Sequence, residues 1–303
     1  MNILLIAPPL DAKVPAKSTL LGLGYLAAVL RQGGHTVQIL DFTLADLGFS
    51  LNIIPDAIGM SIMFTEYKKG AVNFLAQLRE LYPSPLYIIG GAHASTFPEE
   101  MLEYADTVVV GEGEEVICDI VENQRTGIIR APRIRDLDAI PMPAWDLLMP
   151  DVREINRLSA KSPFLMRRPM VHIITSRGCP NACTYCAVKV AWGRQWIARS
   201  AESVVDEIEY LYNEHGIREF HFNDDNCSID KLRMWDICTE ILVRALDIKI
   251  ACPTGIHIGT LDKKLLRHMK RAGFYRLCFG IETGNTEMWQ CSMKSLSNTK
   301  QPS

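Results

Sequence analysis

Hydrophobic runs of strand length alternate with stretches of helical periodicity from the first residue of the chain. In the first part of the chain, the apolar runs predict strands and the periodic stretches between them predict helices. The strands are predicted at 3–7, 36–41, 57–62, 86–89 and 106–110, and the helices at 19–32, 66–81 and 114–123. Because strands that alternate with helices form parallel sheets, we expect a doubly wound α/β domain over residues 1–130.

The alternation stops between residues 131 and 169. Prolines accumulate in this stretch, which predicts a proline-rich linker. We expect the linker to pack on a domain, because it carries large apolar side chains at Trp145, Leu147, Leu148 and Phe164.

A second α/β series is predicted over residues 170–303. Its strands are predicted at 170–175, 219–223, 249–252 and 276–281, and its helices at 201–215, 231–246 and 262–272. These strands are too few to close a barrel, so we expect a partial (β/α) barrel. The polar residues that end the chain do not continue the pattern, and we expect this domain to be incomplete and truncated at its C-terminal end.

Composition agrees with two domains and excludes some classes of function. A chain of 303 residues with 48% hydrophobic residues can bury two cores. The net charge of -3 gives no field that would attract nucleic acid, so we expect no nucleic-acid partner. We find neither a signal peptide nor the roughly 18 uninterrupted apolar residues that a membrane span needs, and we expect a cytoplasmic protein.

Three cysteines stand close together in the sequence, at Cys179, Cys183 and Cys186. They follow the predicted strand 170–175, in the kind of loop where α/β folds place their chemistry. Thiolates separated by three and then two residues can bind three irons of one cubane cluster and leave the fourth iron without a protein ligand. A closed zinc site would need a fourth ligand, and no CxxC or HxxxH pair follows. The spacing therefore favours a [4Fe–4S] cluster over zinc or unligated thiols.

This stretch resembles the CxxxCxxC signature of the radical S-adenosylmethionine (SAM) superfamily, including the aromatic residue before the last cysteine: Cys179-Pro-Asn-Ala-Cys183-Thr-Tyr185-Cys186. In that family the open iron chelates SAM, and one electron from the cluster cleaves the S–C5′ bond to give a 5′-deoxyadenosyl radical. The resemblance implies that the three cysteines are the cluster ligands. It also implies that the Tyr185 backbone lies near the adenine of SAM.

Two later motifs resemble the same family. Asn223-Asp224-Asp225-Asn226 resembles the acidic segment near the SAM amino group, which implies that Asp224 and Asp225 meet the ammonium. Asp and Asn are also common in turns and caps, so a structural role stays open. Gly280-Ile281-Glu282-Thr283-Gly284 resembles the family's G-I-E-[ST]-G, in which the glutamate, here Glu282, contacts the ribose hydroxyls of SAM. A surface glutamate beside a turn glycine is the alternative.

A flavodoxin-like domain before a radical SAM domain resembles the cobalamin-binding subfamily, which includes methyltransferases and anaerobic magnesium-protoporphyrin ester cyclases. The resemblance implies that residues after the third, fourth and fifth strands contact the corrinoid: Ser61, Met63, Gly90, Gly91, His93, Gly111 and Gly113. Glycines would let the backbone approach a bulky planar ligand, and residues 61–65 would form an apolar ledge. Gly-Gly turns also end strands in many other α/β proteins.

The DxHxxG motif that supplies an axial histidine in methionine-synthase-type domains is absent from the sequence. We therefore expect cobalt to carry no histidine from such a motif. His93 could contact the edge of the cofactor, or it could be a hydrogen-bonded turn residue.

The resemblance implies methyl transfer to an unactivated carbon of a small-molecule substrate. It implies SAM, cobalamin and a [4Fe–4S] cluster as cofactors, with a reductant such as ferredoxin or flavodoxin. Radical cyclisation or rearrangement without net methylation is the second hypothesis, and a corrinoid-binding or cluster-binding fragment without turnover is the third. The substrate cannot be named, because specificity comes from loops that carry no recognisable motif.

Overall fold

The computed structural model describes residues 1–9, 19–43, 53–158, 164–285 and 293–294. The chain divides into two compact units, which we call the first unit (Met1–Arg135 and Ala139–Lys161) and the second unit (Asp136–Asp138 and Ser162–Ser303). Within the described ranges, every helix is too short or too polar to cross a lipid bilayer.

The first unit is built on a parallel sheet. Its strands are β1 (Asn2–Ala7), β2 (Thr36–Asp41), β3 (Ala57–Ser61), β4 (Leu86–Gly90), β5 (Thr107–Val110) and β6 (Gly127–Arg130). Its helices are α1 (Leu21–Gln32), α2 (Lys68–Leu81), α3 (Ala92–Thr96), α4 (Pro98–Leu102), α5 (Ile117–Glu122) and α6 (Trp145–Leu158). The strands lie in the order β2-β1-β3-β4-β5-β6, and each neighbouring pair is parallel. This arrangement confirms the doubly wound, flavodoxin-like fold class.

Both faces of this sheet are buried, as the continuous apolar strands predict. Alternate residues of β1 point to opposite faces: Ile3 and Leu5 belong to one hydrophobic cluster, and Leu4 and Ile6 belong to another. The sixth strand, β6, was not predicted. It is only four residues long and leads into a polar, proline-containing stretch, so its apolar signal is weak.

Helix α6 lies inside the predicted linker. Trp145, Leu148 and Val152 are buried, and Leu147 packs against the cluster that contains Ile3. Packing of these side chains is therefore confirmed, but the segment is helical rather than irregular. Phe164 is 64% exposed, and its ring centroid lies 5.7 Å from the guanidinium carbon of Arg276.

The second unit contains a second parallel sheet. The described strands of this unit are β7 (Met170–Ile173), β8 (Ser176–Arg177), β9 (Ala182–Cys183), β10 (Ile197–Ala198), β11 (Glu219–Phe222), β12 (Lys249–Cys252), β13 (Phe274–Leu277) and β14 (Met293–Lys294). Its helices are α7 (Val188–Ala191), α8 (Ala201–Glu214), α9 (Lys231–Val243) and α10 (Lys263–Arg271). The sheet order is β13-β12-β11-β7, with short antiparallel pairs β8–β10 and β9–β14. Among the described strands the sheet does not close into a barrel, which agrees with the predicted partial barrel.

The strand predicted at 276–281 is displaced toward the N-terminus. Gly273 has φ +103° and packs against the backbone of Ile248, so the turn ends there and β13 begins at Phe274. The last backbone bond to β12 runs from the amide of Cys278 to the carbonyl of Cys252, at 3.1 Å. Glu282 therefore lies in a loop beyond the sheet rather than at the tip of a strand.

Candidate functional site

The residues predicted to contact a corrinoid lie at one edge of the first sheet. Because β3, β4 and β5 are neighbouring parallel strands, the segments that follow them emerge at the same edge. Ser61, at the end of β3, pairs in register with Gly90, at the end of β4. Gly111 and Gly113 follow β5. We call residues 61–65, 90–95 and 111–113 the glycine edge.

Gly91 makes a close backbone contact at this edge. It has φ +102°, a conformation that favours glycine. A Cβ atom at this position would come within 2.6 Å of the carbonyl oxygen of Ile62. The same carbonyl accepts a hydrogen bond from the amide of His93, at 3.1 Å. Gly91 thus lets the chain cross Ile62 before it enters α3.

His93 belongs to the glycine edge and is buried there, with 3% of its surface exposed. Its Nδ1 atom lies 3.1 Å from the hydroxyl oxygen of Thr65. Burial lowers the pKa of His93, which favours a neutral ring. Nε2 has no hydrogen-bond partner among the residues that the structure describes. An unsatisfied buried nitrogen is unusual, and a polar group of a bound cofactor could satisfy it.

The remaining parts of the glycine edge combine apolar exposure with small residues. Met63 is 50% exposed and Phe64 is 56% exposed, so together they present an apolar ledge. The amide of Gly111, at φ +93°, donates to the hydroxyl of Ser95 at 3.0 Å. This bond ties the segment after β5 to helix α3, and no motif in the sequence marks Ser95.

Glu112 lies between the two glycines after β5 and is buried. Its carboxylate pairs with the guanidinium of Arg133 and accepts the amide of Ile134 at 3.0 Å. The pair joins the glycine edge to the chain that leaves β6. The segment Gly111-Glu112-Gly113 therefore contains a structural carboxylate between its two glycines.

The three clustered cysteines follow β7 and are all half-buried. Gly178 precedes Cys179 with φ +85°, and the amide of Cys186 donates to the carbonyl of Cys183 at 3.3 Å. Burial raises the pKa of the Cys179 thiol, and the negative charges of Asp225, Cys183 and Cys186 act in the same direction. The thiols are therefore close enough to influence one another.

The donor set fits an iron–sulfur cluster by its chemistry, because three thiolates on one loop are its usual ligands. No three His, Cys, Asp or Glu side chains within the described ranges converge into a metal-binding geometry. The cysteines thus share a loop, and a cluster would draw their sulfur atoms together.

Tyr185 and Glu282 meet beside the cysteine loop. Burial, the charge of Cys183 and a hydrogen bond with Glu282 all raise the pKa of the Tyr185 phenol. Glu282 is exposed and has φ +60°, a strained conformation for a residue other than glycine. Two residues that were predicted separately, from motifs almost 100 residues apart, are therefore in contact.

Asp224, which follows β11, is a buried and fully hydrogen-bonded carboxylate. The residue is 2% exposed, and its carboxylate accepts hydrogen bonds from the amide and hydroxyl of Thr175 and from the hydroxyl of Ser176. It is therefore a buried group bound to the loop before Cys179, and not a carboxylate open to a ligand. Asp225 is half-buried, and its Oδ2 atom accepts the amide of Gly178 at 2.9 Å.

Comparison with protein families gives two matches. Residues 9–121 match the B12 binding domain, and residues 173–301 match the radical SAM superfamily. The first match covers strands β2 to β5 and the glycine edge, and the second covers the cysteine loop.

Several curated proteins are similar over most of the chain. An uncharacterised methyltransferase of Pyrococcus horikoshii is 28% identical, over 98% of this chain and 69% of its own length. The cytidylyl-2-hydroxyethylphosphonate methyltransferase of Streptomyces wedmorensis is 30% identical over 87% of this chain and 61% of its own. The anaerobic magnesium-protoporphyrin IX monomethyl ester cyclase of Cereibacter sphaeroides is 27% identical over 85% of this chain and 46% of its own length. The chain thus spans 46% to 69% of the length of these relatives.

Solved structures agree in fold. The radical SAM methyltransferase TsrM from Kitasatospora setae superposes with a TM-score of 0.74 at 20% identity, over 95% of this chain and 60% of that chain. The cobalamin-dependent SAM radical enzyme OxsB superposes with a TM-score of 0.75 at 19% identity, over 97% of this chain and 45% of that chain. Because both family matches lie on one chain, this protein combines a B12 binding domain with a domain of the radical SAM superfamily.

Proposed function

We propose that this chain is a cobalamin-dependent radical SAM methyltransferase acting on an unactivated carbon of a small-molecule substrate. The observation that carries the proposal is the three-cysteine loop after the first strand of the second sheet, in a chain that also matches a B12 binding domain. The methyltransferases among its relatives support methyl transfer. When bound, the cluster and SAM would supply a 5′-deoxyadenosyl radical, and cobalamin would carry the methyl group.

Cys179, Cys183 and Cys186 are the proposed ligands of the [4Fe–4S] cluster. Glu282 is proposed to accept hydrogen bonds from the ribose hydroxyls of SAM, and the backbone of Tyr185 to lie at the adenine. The contact between Tyr185 and Glu282 supports one shared SAM site. For the SAM ammonium we propose Asp225, because Asp224 is buried and occupied by Thr175 and Ser176.

The glycine edge is the proposed cobalamin site. Its small residues would let the backbone approach the corrin, and Met63 would pack on the corrin face. These small residues are Ser61, Gly90, Gly91, Gly111 and Gly113. The unsatisfied Nε2 atom of His93 supports a polar contact at the edge of the cofactor. We propose that cobalt carries no histidine from a DxHxxG motif.

The domain limits, the partners and the location are also proposals. We propose a cobalamin-binding domain over 1–130, a joining segment over 131–169 and a radical SAM domain over 170–303. A low-potential reductant such as ferredoxin or flavodoxin would deliver the electron. The net charge of -3 gives nucleic acid no support as a partner. An oxygen-sensitive cluster supports work in the reducing cytoplasm.

The cluster is tested by anaerobic reconstitution with iron and sulfide. The full chain should take up one cluster, and replacement of Cys179, Cys183 and Cys186 by Ala should abolish its iron content and its EPR signal. The matched control replaces Cys118 and Cys278, which are also half-buried, and should keep both. Full iron content in the triple variant would refute the assignment.

Methyl transfer and cyclisation are separated by their products. Incubation with SAM, cobalamin and a reductant should yield S-adenosylhomocysteine and a substrate that is heavier by one methyl group. A product of altered mass without that gain would support the cyclase hypothesis, which the similarity to the ester cyclases keeps open. Absence of both S-adenosylhomocysteine and 5′-deoxyadenosine would contradict both hypotheses.

A further inference from the structure

The short stretch between β7 and Cys179 is held from several sides. It contains residues 174–178, and Ser176 and Arg177 form β8, which pairs with β10. Thr175 and Ser176 are almost fully buried. This stretch sets where the first cysteine of the loop emerges.

Asp224 binds the donors of this stretch. The amide of Thr175 donates to its Oδ1 atom at 2.8 Å, and the hydroxyl of Thr175 donates to its Oδ2 atom at 2.7 Å. The hydroxyl of Ser176 donates to the same Oδ2 atom. Asp224 is itself fixed, because its carbonyl accepts the hydroxyl of Thr254 at 2.6 Å. Three donors on two adjacent residues therefore converge on one carboxylate.

Arginines bind the carbonyls of the same stretch. Arg233, on α9, donates to the carbonyl of Thr175 at 2.7 Å. The amide of Arg199 donates to that carbonyl at 3.0 Å, and its guanidinium donates to the carbonyl of Ile174 at 3.3 Å. Thr175 is thus held by an anion through its amide and by a cation through its carbonyl. Such charge-assisted bonds are stronger than neutral ones.

We propose that Asp224 is a positioning residue that presents Cys179 to the cluster, with Arg233 holding the opposite side of Thr175. The inference rests on the proposed function, because it takes Cys179 to be a cluster ligand. Asp224 acts through the loop and does not touch SAM. Asp225 contributes to the same positioning. Its carboxylate accepts a hydrogen bond from the amide of Gly178, the residue immediately before Cys179.

The test uses the full chain with its reconstituted cluster and without SAM. Asp224→Asn keeps the size of the side chain but presents an NH₂ group to hydroxyl donors. We expect altered g values in the EPR spectrum of the reduced cluster, a shifted midpoint potential and about tenfold faster loss of iron to a chelator. The control is Asp236→Asn, an exposed residue on α9, which should leave all three unchanged.

A second pair of variants avoids the carboxylate itself. Thr175→Val removes the hydroxyl donor at nearly constant volume and should reproduce the spectral change in weaker form. Thr175→Ser keeps the donor and should restore the parent spectrum. This comparison decides the matter if Asp224→Asn does not fold.

Two outcomes would overturn the inference. One is a cluster in Asp224→Asn, or in Thr175→Val, with the g values, potential and iron-loss rate of the parent protein. The other is a change that appears only when SAM is added, which would return Asp224 to a role in SAM binding. Iron retained after replacement of all three clustered cysteines would instead reject the cluster assignment, so the two failures are distinguishable.

Discussion

Gly91 lies against the backbone of Ile62, where a Cβ atom would come within 2.6 Å of the Ile62 carbonyl oxygen. Gly91→Ala must therefore shift the backbone at residue 91 or at Ile62 and adopt a positive φ. We expect it to destabilise the protein by about 2 kcal/mol and to abolish cobalamin binding.

The measurement is the melting temperature together with an absorbance titration by cobalamin. Gly22→Ala is the matched control, because a Cβ atom there meets nothing within 4 Å and Gly22 lies outside the glycine edge. If Gly91→Ala binds cobalamin as the parent does, the glycine edge is not the corrinoid site.

The pair of Glu112 and Arg133 predicts a strong local effect. Glu112→Gln leaves a largely buried guanidinium without its carboxylate, which costs about 3 kcal/mol. Amide hydrogen exchange in β5 and β6 should become about a hundredfold faster. Exposed Glu115→Gln should not change it. Equal exchange in both variants would mean that the pair is energetically neutral.

Glu282 predicts a separation of SAM binding from cluster binding. Glu282→Gln weakens an acceptor for the ribose diol, and we expect the Kd for SAM to rise about tenfold. The iron content should stay at the parent level, because the cysteines are untouched. Binding can be followed by the change that SAM causes in the cluster EPR spectrum. An unchanged Kd would leave Glu282 as a surface residue beside a turn.

His172 predicts a loss of stability in acid. Burial, reinforced by nearby His221, lowers the pKa of His172 from 6.5 to about 3. The unfolded chain therefore binds a proton between these values that the folded chain does not bind. Stability falls as pH decreases through 6.5 and continues to fall toward 3, with a loss of about 2 kcal/mol between pH 7 and 5.

Denaturant unfolding of the parent and of His172→Gln at both pH values checks this. The variant should lose less stability than the parent over the interval, by about the same 2 kcal/mol. Nearby Glu219 and His221 are present in both proteins, so the difference isolates His172. Parallel pH profiles would contradict the prediction.

Local patterns predicted the fold class, which the structure confirms, whereas the role of the three clustered cysteines as cluster ligands stays a prediction. The strand at 36–41 was predicted with the bounds that the structure has, because its apolar run ends at polar residues on both sides. The cysteine loop was predictable because its spacing is a property of adjacent residues. The family matches confirm both domains.

What could not be predicted depends on contacts between distant parts of the chain. The hydrogen bonds that Thr175 donates to Asp224 join residues 49 positions apart, and they exist only because β7 and β11 are neighbours. The position of Glu282 depends on the turn at Gly273, which no motif marks. The periodicity of α6 was obscured by the prolines that flank it and by Pro150 within it.

Helix α6 has a practical consequence for dissecting the protein. Within the first unit, α6 packs closely on α1 at Gly24. A Cβ atom at Gly24 would come within 2.6 Å of the Leu148 side chain. The amide of Ala144 also donates to the Gly24 carbonyl at 3.0 Å. A fragment that ended at residue 130 would expose this face of α1 to solvent and make it prone to aggregation, since Ala144 and Leu148 would no longer cover it. A fragment meant for isolated cobalamin titration should therefore extend through residue 161.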